Sequence, residues 1–222
     1  MSQEDPFTGK DARFWDRAAR KYAAARIGDE AGFERTLART HSLITPSAQV
    51  LELGCGTGTA ALRLANAAKT YLATDISTKM IAIAQEKLTR AREEGLDGDL
   101  SFRQATAGTI AHDGARYDVV IGFNYLHLAG DLPSVLHQIR GLLAPGGLFV
   151  SKTPCIGDMN VLIRWLVPAM RLVGLAPSVT EFSARSLETA IEAAGFEILE
   201  TARHGSGKND SRPFIVARAM RH

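Results

Sequence analysis

From residue 50 onward, short apolar runs bounded by turn residues alternate with segments of helical composition. "QVLELG" precedes an Ala- and Leu-rich stretch over 59–68, and "TYLATDI" precedes one rich in Ala, Lys, Glu and Gln over 79–94. "LSFRQA" and "YDVVIGF" follow, then a helical pattern over 132–143 and the run "GGLFVSKTP". Strands that are apolar nearly throughout must be covered on both faces. Alternation with helices therefore predicts a parallel sheet between two helical layers. After a further helix over 187–194 come "FEILETARH" and "RPFIVARAM", joined by the flexible "GSGKNDS". That arrangement predicts antiparallel neighbours at the end of the chain.

Ahead of the alternation, "FWDRAARKYAAARI" sets Phe14, Trp15, Ala18, Ala19 and Tyr22 on one helical face, opposite Arg17, Arg20 and Lys21. At 222 residues the chain reads as one domain. Its expected parts are N-terminal helices over 1–45, a core over 46–155, a helical insertion over 156–182, and a C-terminal helix with strands over 183–222. Lys and Arg total 26 against 24 Asp and Glu, too even for a polyanionic partner. Two cysteines make no disulfide framework, and no Cys/His spacing fits a metal, so a reduced, cytoplasmic setting and no metal are expected. The polar N-terminus carries no apolar signal region. The most apolar stretch, residues 159–179, is interrupted by Arg164, Pro168 and Arg171, which rules against a membrane span.

The turn after the first strand reads "VLELGCGTGT", with Gly54, Gly56 and Gly58 at alternate positions. Glycine admits positive φ and lets a ligand approach the main chain. A P-loop would need Lys and then Ser or Thr after its last glycine, but here the helix continues "TAALRLA". A dinucleotide loop would need G-x-G-x-x-G, and position 59 is Thr. Glu52 sits two residues before the first glycine in an otherwise apolar strand, where a pyrophosphate gains nothing from negative charge. A carboxylate there suits a ligand bearing positive charge, such as an amino group. Asp75, closing the next strand, can accept from both hydroxyls of a ribose, which supports a nucleoside without choosing between NAD and adenosine.

Taken in order, "LELGCGTG", "ATDIS", "YDVVIGFNYLHL" and "LLAPGGLFV" resemble the class I S-adenosylmethionine-dependent methyltransferases, over roughly residues 48–153. The resemblance implies a Rossmann-like, doubly wound seven-stranded α/β sheet, mostly parallel with an antiparallel C-terminal strand, plus N-terminal helices. It implies S-adenosylmethionine as cofactor. The loop Gly54, Cys55, Gly56, Thr57, Gly58 would pass beneath the methionine part, Asp75 would bind the ribose, and Ile76 and Met80 would sandwich the adenine. Within "FRQATA", Thr106 stands between Ala105 and Ala107 where many relatives carry an acid that reads the adenine amino group. Its hydroxyl can still accept a hydrogen bond, with Gln104 nearby. Tyr22 is either a lid residue at the methionine end or a core anchor, and Trp15 is expected in the core. Phe123 is expected beside the cofactor.

Methyl transfer from a sulfonium asks the protein to align the reactants and exclude water. A base is needed only for an acceptor that stays protonated. His127, just past the fourth strand, is the candidate base, with loop capping or helix packing as its other reading. Asn124 and Tyr125 are comparable loop candidates. Asp118 opens its strand, away from the ligand end, and reads as structural. Cys55 reads as a small loop residue and not a nucleophile, and Cys155 as packing. His41, His112, His137, His204 and His222 read as surface or packing residues. The methyl acceptor is expected to be a small, partly hydrophobic molecule. "FNYL" replaces the N-P-P-Y or D-P-P-Y run of the family's amino-group methylases, which argues against nucleic acid. The apolar insertion, with Ile156, Met159, Leu162, Ile163, Trp165, Leu166, Met170 and Leu172, is a lid, a homodimer face or a membrane contact. A cofactor-binding protein without turnover and a nicotinamide oxidoreductase are the alternatives in function.

Overall fold

The apolar runs form strands, and the stretches between them helices, in a computed structural model that describes residues 9–159, 179–207 and 210–220. Helices α1 (Gly9–Ala24) and α2 (Glu30–His41) come first. Then follow β1 (Gln49–Leu53), α3 (Thr59–Leu64), β2 (Thr70–Asp75), α4 (Thr78–Glu93), β3 (Leu100–Gln104) and α5 (Ala107–Ala111). The remainder is β4 (Tyr117–Phe123), α6 (Leu132–Leu142), β5 (Leu143–Lys152), α7 (Ala184–Ala193), β6 (Phe196–Arg203) and β7 (Pro213–Ala219). The seven strands make one sheet in the order β3-β2-β1-β4-β5-β7-β6. Only β7 runs against its neighbours, pairing antiparallel with both β5 and β6. The expected sheet is the one observed. Strand order reverses between β1 and β4, which opens a crevice at their carboxyl ends.

Both faces are packed, which is why the strands read as continuous apolar runs. Val50, Tyr71, Ile121 and Phe214 face the layer of α2, α3 and α4, meeting Leu37, Leu64, Ile81 and Ala84. Leu51, Val120, Phe149 and Ile215 face the other layer, meeting Ile110 of α5, Ile139 of α6 and Leu187 of α7. Asp118 behaves as a structural residue: its Oδ2 accepts the Gln49 N–H at 2.8 Å, tying the starts of β4 and β1 together.

Boundaries differ from the sequence reading where a cap or a backbone excursion intervenes. The helix expected over 187–194 begins at Ala184, because Ser183 accepts from Ser186 N and forms a reciprocal capping box. The one expected over 59–68 ends at Leu64 and tightens into a 3₁₀ turn, Ala65–Ala67. The turn expected at "PGG" lies inside β5. Its pairing with β4 slips between Tyr117↔Leu143 and Val119↔Leu148, with Gly146 at φ +77°. Helix α5 was not anticipated, since five residues are too few to show a helical period. Of the apolar insertion, Leu162, Ile163, Trp165, Leu166, Met170 and Leu172 lie outside the described residues, as does His222.

Candidate active site

The glycine turn connects β1 to α3 through three left-handed residues, Gly54 (φ +66°), Gly56 (φ +55°) and Gly58 (φ +76°). A β-carbon on Gly54 would lie 2.7 Å from Tyr125 Cδ2, and one on Gly56 would lie 3.3 Å from Tyr22 Cε1. Gly58 serves packing instead: its β-carbon would fall 2.5 Å from Phe102 Cζ. The turn is held from within. Cys55 N donates to Thr74 O at 2.9 Å, Gly56 N to Asp75 Oδ2 at 2.9 Å, and Gly58 N to Cys55 O at 3.0 Å. Thr57, buried, accepts from Lys87 Nζ at 2.8 Å.

A cavity of about 260 Å³ opens over this turn. Its walls include Tyr22, Gly54, Gly56, Asp75, Ile76 and Met80. They also include Ala105 and Thr106 at the end of β3, and Phe123, Asn124 and His127 at the end of β4. Of the residues expected to hold the cofactor, Glu52, Cys55, Thr57, Gly58 and Ala107 do not line it. Trp15, expected in the core, does line it, and its ring meets Tyr22 edge-on at 6.2 Å between centroids.

Glu52 lies buried in the sheet, where its Oε2 accepts the Tyr71 hydroxyl at 2.8 Å. Burial pushes its carboxyl up to about 7; the Tyr71 bond opposes that rise and the Asp75 charge adds to it. Alternation along β1 explains the placement, since Glu52 shares the face of Val50 while Leu53 reaches the cavity. Any effect of Glu52 on a cationic ligand therefore acts from behind the turn.

Asp75 is buried at the cavity wall. Its Oδ1 accepts Ser77 N at 2.8 Å and its Oδ2 accepts Gly56 N at 2.9 Å. Burial raises its carboxyl, and those two backbone N–H groups draw it back down. Each oxygen keeps a lone pair for a hydroxyl donor. Thr106 caps α5, its Oγ1 accepting from Thr109 N at 3.2 Å. Gln104 does not line the cavity, and its Nε2 donates to Ile76 O at 3.0 Å.

His127 stands in the 3₁₀ turn Leu126–Leu128. Its Nδ1 is buried and, among the described residues, has no hydrogen-bond partner. Burial pushes its pKa down to about 4, so the ring is neutral near pH 7. Asn124 takes a left-handed conformation at φ +50°, tolerable for Asn, with its N–H donating to Lys152 O at 2.8 Å. Cys55 is buried beside Glu52 and Asp75; burial and those charges push its thiol well above its ordinary value. Burial also pushes Cys155 up to about 12. Neither is a thiolate, and neither suits nucleophilic catalysis.

One anchoring residue escaped the sequence reading. Asp16 of α1 accepts from Ser77 Oγ at 2.6 Å and from Lys79 N at 3.1 Å, at the start of α4. This contact docks α1 across the crevice, and it puts Trp15 and Tyr22, seven residues apart on one face, into the cavity wall. An acid on the polar side of an amphipathic helix carries no signal for such a role.

A family profile described as a methyltransferase domain matches residues 44–200. Highly reducing polyketide synthase aurA of Calcarisporium arbuscula is 32% identical over 144 residues, covering 63% of this chain and 5% of that protein. Ubiquinone biosynthesis O-methyltransferase of Methylobacterium nodulans is 27% identical over 157 residues, 68% of this chain and 61% of that protein. The chain thus spans a small part of the synthase and about three fifths of the O-methyltransferase. In fold it is similar to magnesium protoporphyrin IX methyltransferase from Synechocystis PCC 6803, solved with bound S-adenosylhomocysteine. The TM-score is 0.66 at 20% identity, over 94% of each chain.

Proposed function

Because the chain belongs to the methyltransferase-domain family and uses S-adenosylmethionine, we propose that it methylates a small, partly hydrophobic molecule by in-line displacement. Membership sets aside the nicotinamide oxidoreductase. When bound, the cofactor would supply an electrophilic methyl on a sulfonium that leaves as a neutral thioether, to an acceptor that gives up its proton.

One observation carries the assignment of the site. The buried Asp75 carboxylate, the bare α-carbons of Gly54 and Gly56, and the loop after β4 share one cavity. In this reading Asp75 takes the ribose hydroxyls on its remaining lone pairs, and Ile76 and Met80 hold the adenine between apolar surfaces. Ala105 and Thr106 border the base, and Tyr22 and Trp15 cover the methionine end and exclude water. The neutral His127 ring, at the cavity wall, takes the acceptor's proton. The O-methyltransferase among its relatives favours an oxygen acceptor.

The test is a thermal-shift comparison of S-adenosylhomocysteine, NAD and ATP on the wild type and on Asp75→Ala. A ligand at a hundred times its Kd stabilises by about 2.7 kcal/mol, roughly 5–10 °C for a chain of this size. That rise is expected with S-adenosylhomocysteine alone, and most of it should vanish in Asp75→Ala. A rise with NAD or ATP, and none with S-adenosylhomocysteine, would overturn the assignment.

A further inference from the structure

A second cavity, of about 420 Å³, adjoins the first and shares Tyr22, Phe123 and Asn124 with it. Part of its wall is apolar, from Ala23, Ala25, Ile27 and Phe33. Lys152 and Arg212 bring cationic groups to the same space. Lys152 ends β5, in register with Phe123 at the end of β4. The carboxyl ends of parallel strands are where such sheets receive ligands.

Among the described residues Lys152 makes no direct ion pair, and Asp210 and Asp29 act on its charge only from a distance. The side chain is half-buried, and its ammonium donates to Thr36 Oγ1 at 2.9 Å. The nearby acids are already occupied. Asp29 accepts from Gly32 N at 2.9 Å and from Ser206 N and Oγ at 2.8 and 2.7 Å. Asp210 accepts from Gly205 N and Arg212 N, with Arg212 Nε at 3.6 Å. Arg35 is also spent, donating to His204 O and Ser206 Oγ at 2.8 Å each. Withdrawing an ammonium from water is costly unless an anion meets it. Two of its three N–H donors remain for a ligand.

We propose that the methyl acceptor is a small apolar carboxylic acid. Lys152 holds its carboxylate with Arg212 alongside, and its body lies on the apolar wall. The inference rests on the methyl-transfer reading above and names the substrate class for it. Lys152 and Arg212 line the second cavity and not the first. The carboxylate is thus a recognition handle, and the atom that receives the methyl lies toward the shared residues Tyr22, Phe123 and Asn124. The apolar part of the wall favours a carboxylate over a phosphate dianion, because the carboxylate carries less charge against it.

The test uses the full chain saturated with S-adenosylhomocysteine, titrated calorimetrically with phenylacetate and with its methyl ester. The wild type should bind the acid roughly 10- to 100-fold more tightly than the ester, as expected for hydrogen bonds to a charged group. Lys152→Met should abolish that preference and Arg212→Gln should weaken it, while both variants bind S-adenosylhomocysteine as the wild type does. Absence of an acid-over-ester preference in the wild type overturns the proposal, as does a preference that survives Lys152→Met. Tighter binding of phenyl phosphate than of phenylacetate overturns the choice of carboxylate. Failure of the wild type to bind S-adenosylhomocysteine takes down the methyl-transfer reading instead, so the two failures are told apart.

Discussion

Replacing Glu52 by Gln tests the electrostatics beneath the glycine turn. Glu52 is 2% exposed, accepts one hydrogen bond from Tyr71, and has its carboxyl raised from an ordinary 4.5 to about 7, chiefly by burial. The folded chain therefore keeps a proton that the unfolded chain has already lost. Stability from this group is fully present below about 4.5 and is lost as pH rises through about 7. At about 1.4 kcal/mol per pH unit, the loss across that window comes to about 3 kcal/mol. The substituted amide keeps a carbonyl for Tyr71 and cannot ionise, so the variant should lack this slope. Its buried NH₂ adds a constant cost of about 1–3 kcal/mol where it finds no acceptor. The pH dependence of the difference is thus the informative quantity, not its offset. Urea denaturation of both proteins, from pH 4.5 to 8, should show the variant gaining about 3 kcal/mol on the wild type. Titrating groups that do not interact with Glu52 cancel in that difference. Parallel stability curves across the window would show that Glu52 is ionised as folded, and would refute the reasoning.

Two further outcomes follow from burial around the cavity. His127→Gln should lower turnover by roughly 10²–10⁴-fold where the acceptor must lose a proton, without changing the thermal shift given by S-adenosylhomocysteine. Because burial holds His127 down at about 4, the wild-type rate should show no protonation limb from this residue between pH 6 and 8. A limb near 6.5 that disappears in His127→Gln would contradict this. Cys55 and Cys155 should both resist a disulfide reagent at pH 8 in the folded chain and react in denaturant, since both thiols are raised. Cys55→Ser should keep its turnover, and loss of activity would restore the nucleophile reading.

The sheet was legible because covering both of its faces leaves an unbroken apolar run at each strand, and glycine and proline punctuate those runs. Asp75 was legible for a similar reason, as an acid closing an apolar run. The contacts that finish the site were not. Asp16 meets Ser77 across 61 residues of chain, and Lys152 meets Thr36 across 116. Neither has a local pattern, because each pairing exists only once the sheet has brought its carboxyl ends together. Glu52 shows the converse. Its position in the motif was plain from sequence, but strand alternation turned its side chain toward Tyr71 and not toward the cavity. Trp15 moved from expected core to cavity wall because the docking of α1 is set by Asp16, on a different face of the helix.

The turn itself explains why glycines at alternate positions need not mean a phosphate. An anion cradle requires main-chain N–H groups that point outward and lack partners. Here the N–H groups of Cys55, Gly56 and Gly58 are bonded within the protein, to Thr74 O, Asp75 Oδ2 and Cys55 O. The one that approaches the cavity, at Gly56, ends on a buried carboxylate, so a diphosphate would have to break that bond and then face Asp75. A ligand offering hydroxyl donors and positive charge meets no such conflict. The three glycines divide the work differently from a phosphate loop. Gly54 and Gly56 leave room for the rings of Tyr125 and Tyr22, and Gly58 lets α3 settle against Phe102 and Ala84. In the proposed reading, acceptors that consume the turn's donors select against phosphate, and Asp75, which closes the turn, would offer its remaining lone pairs to the nucleoside.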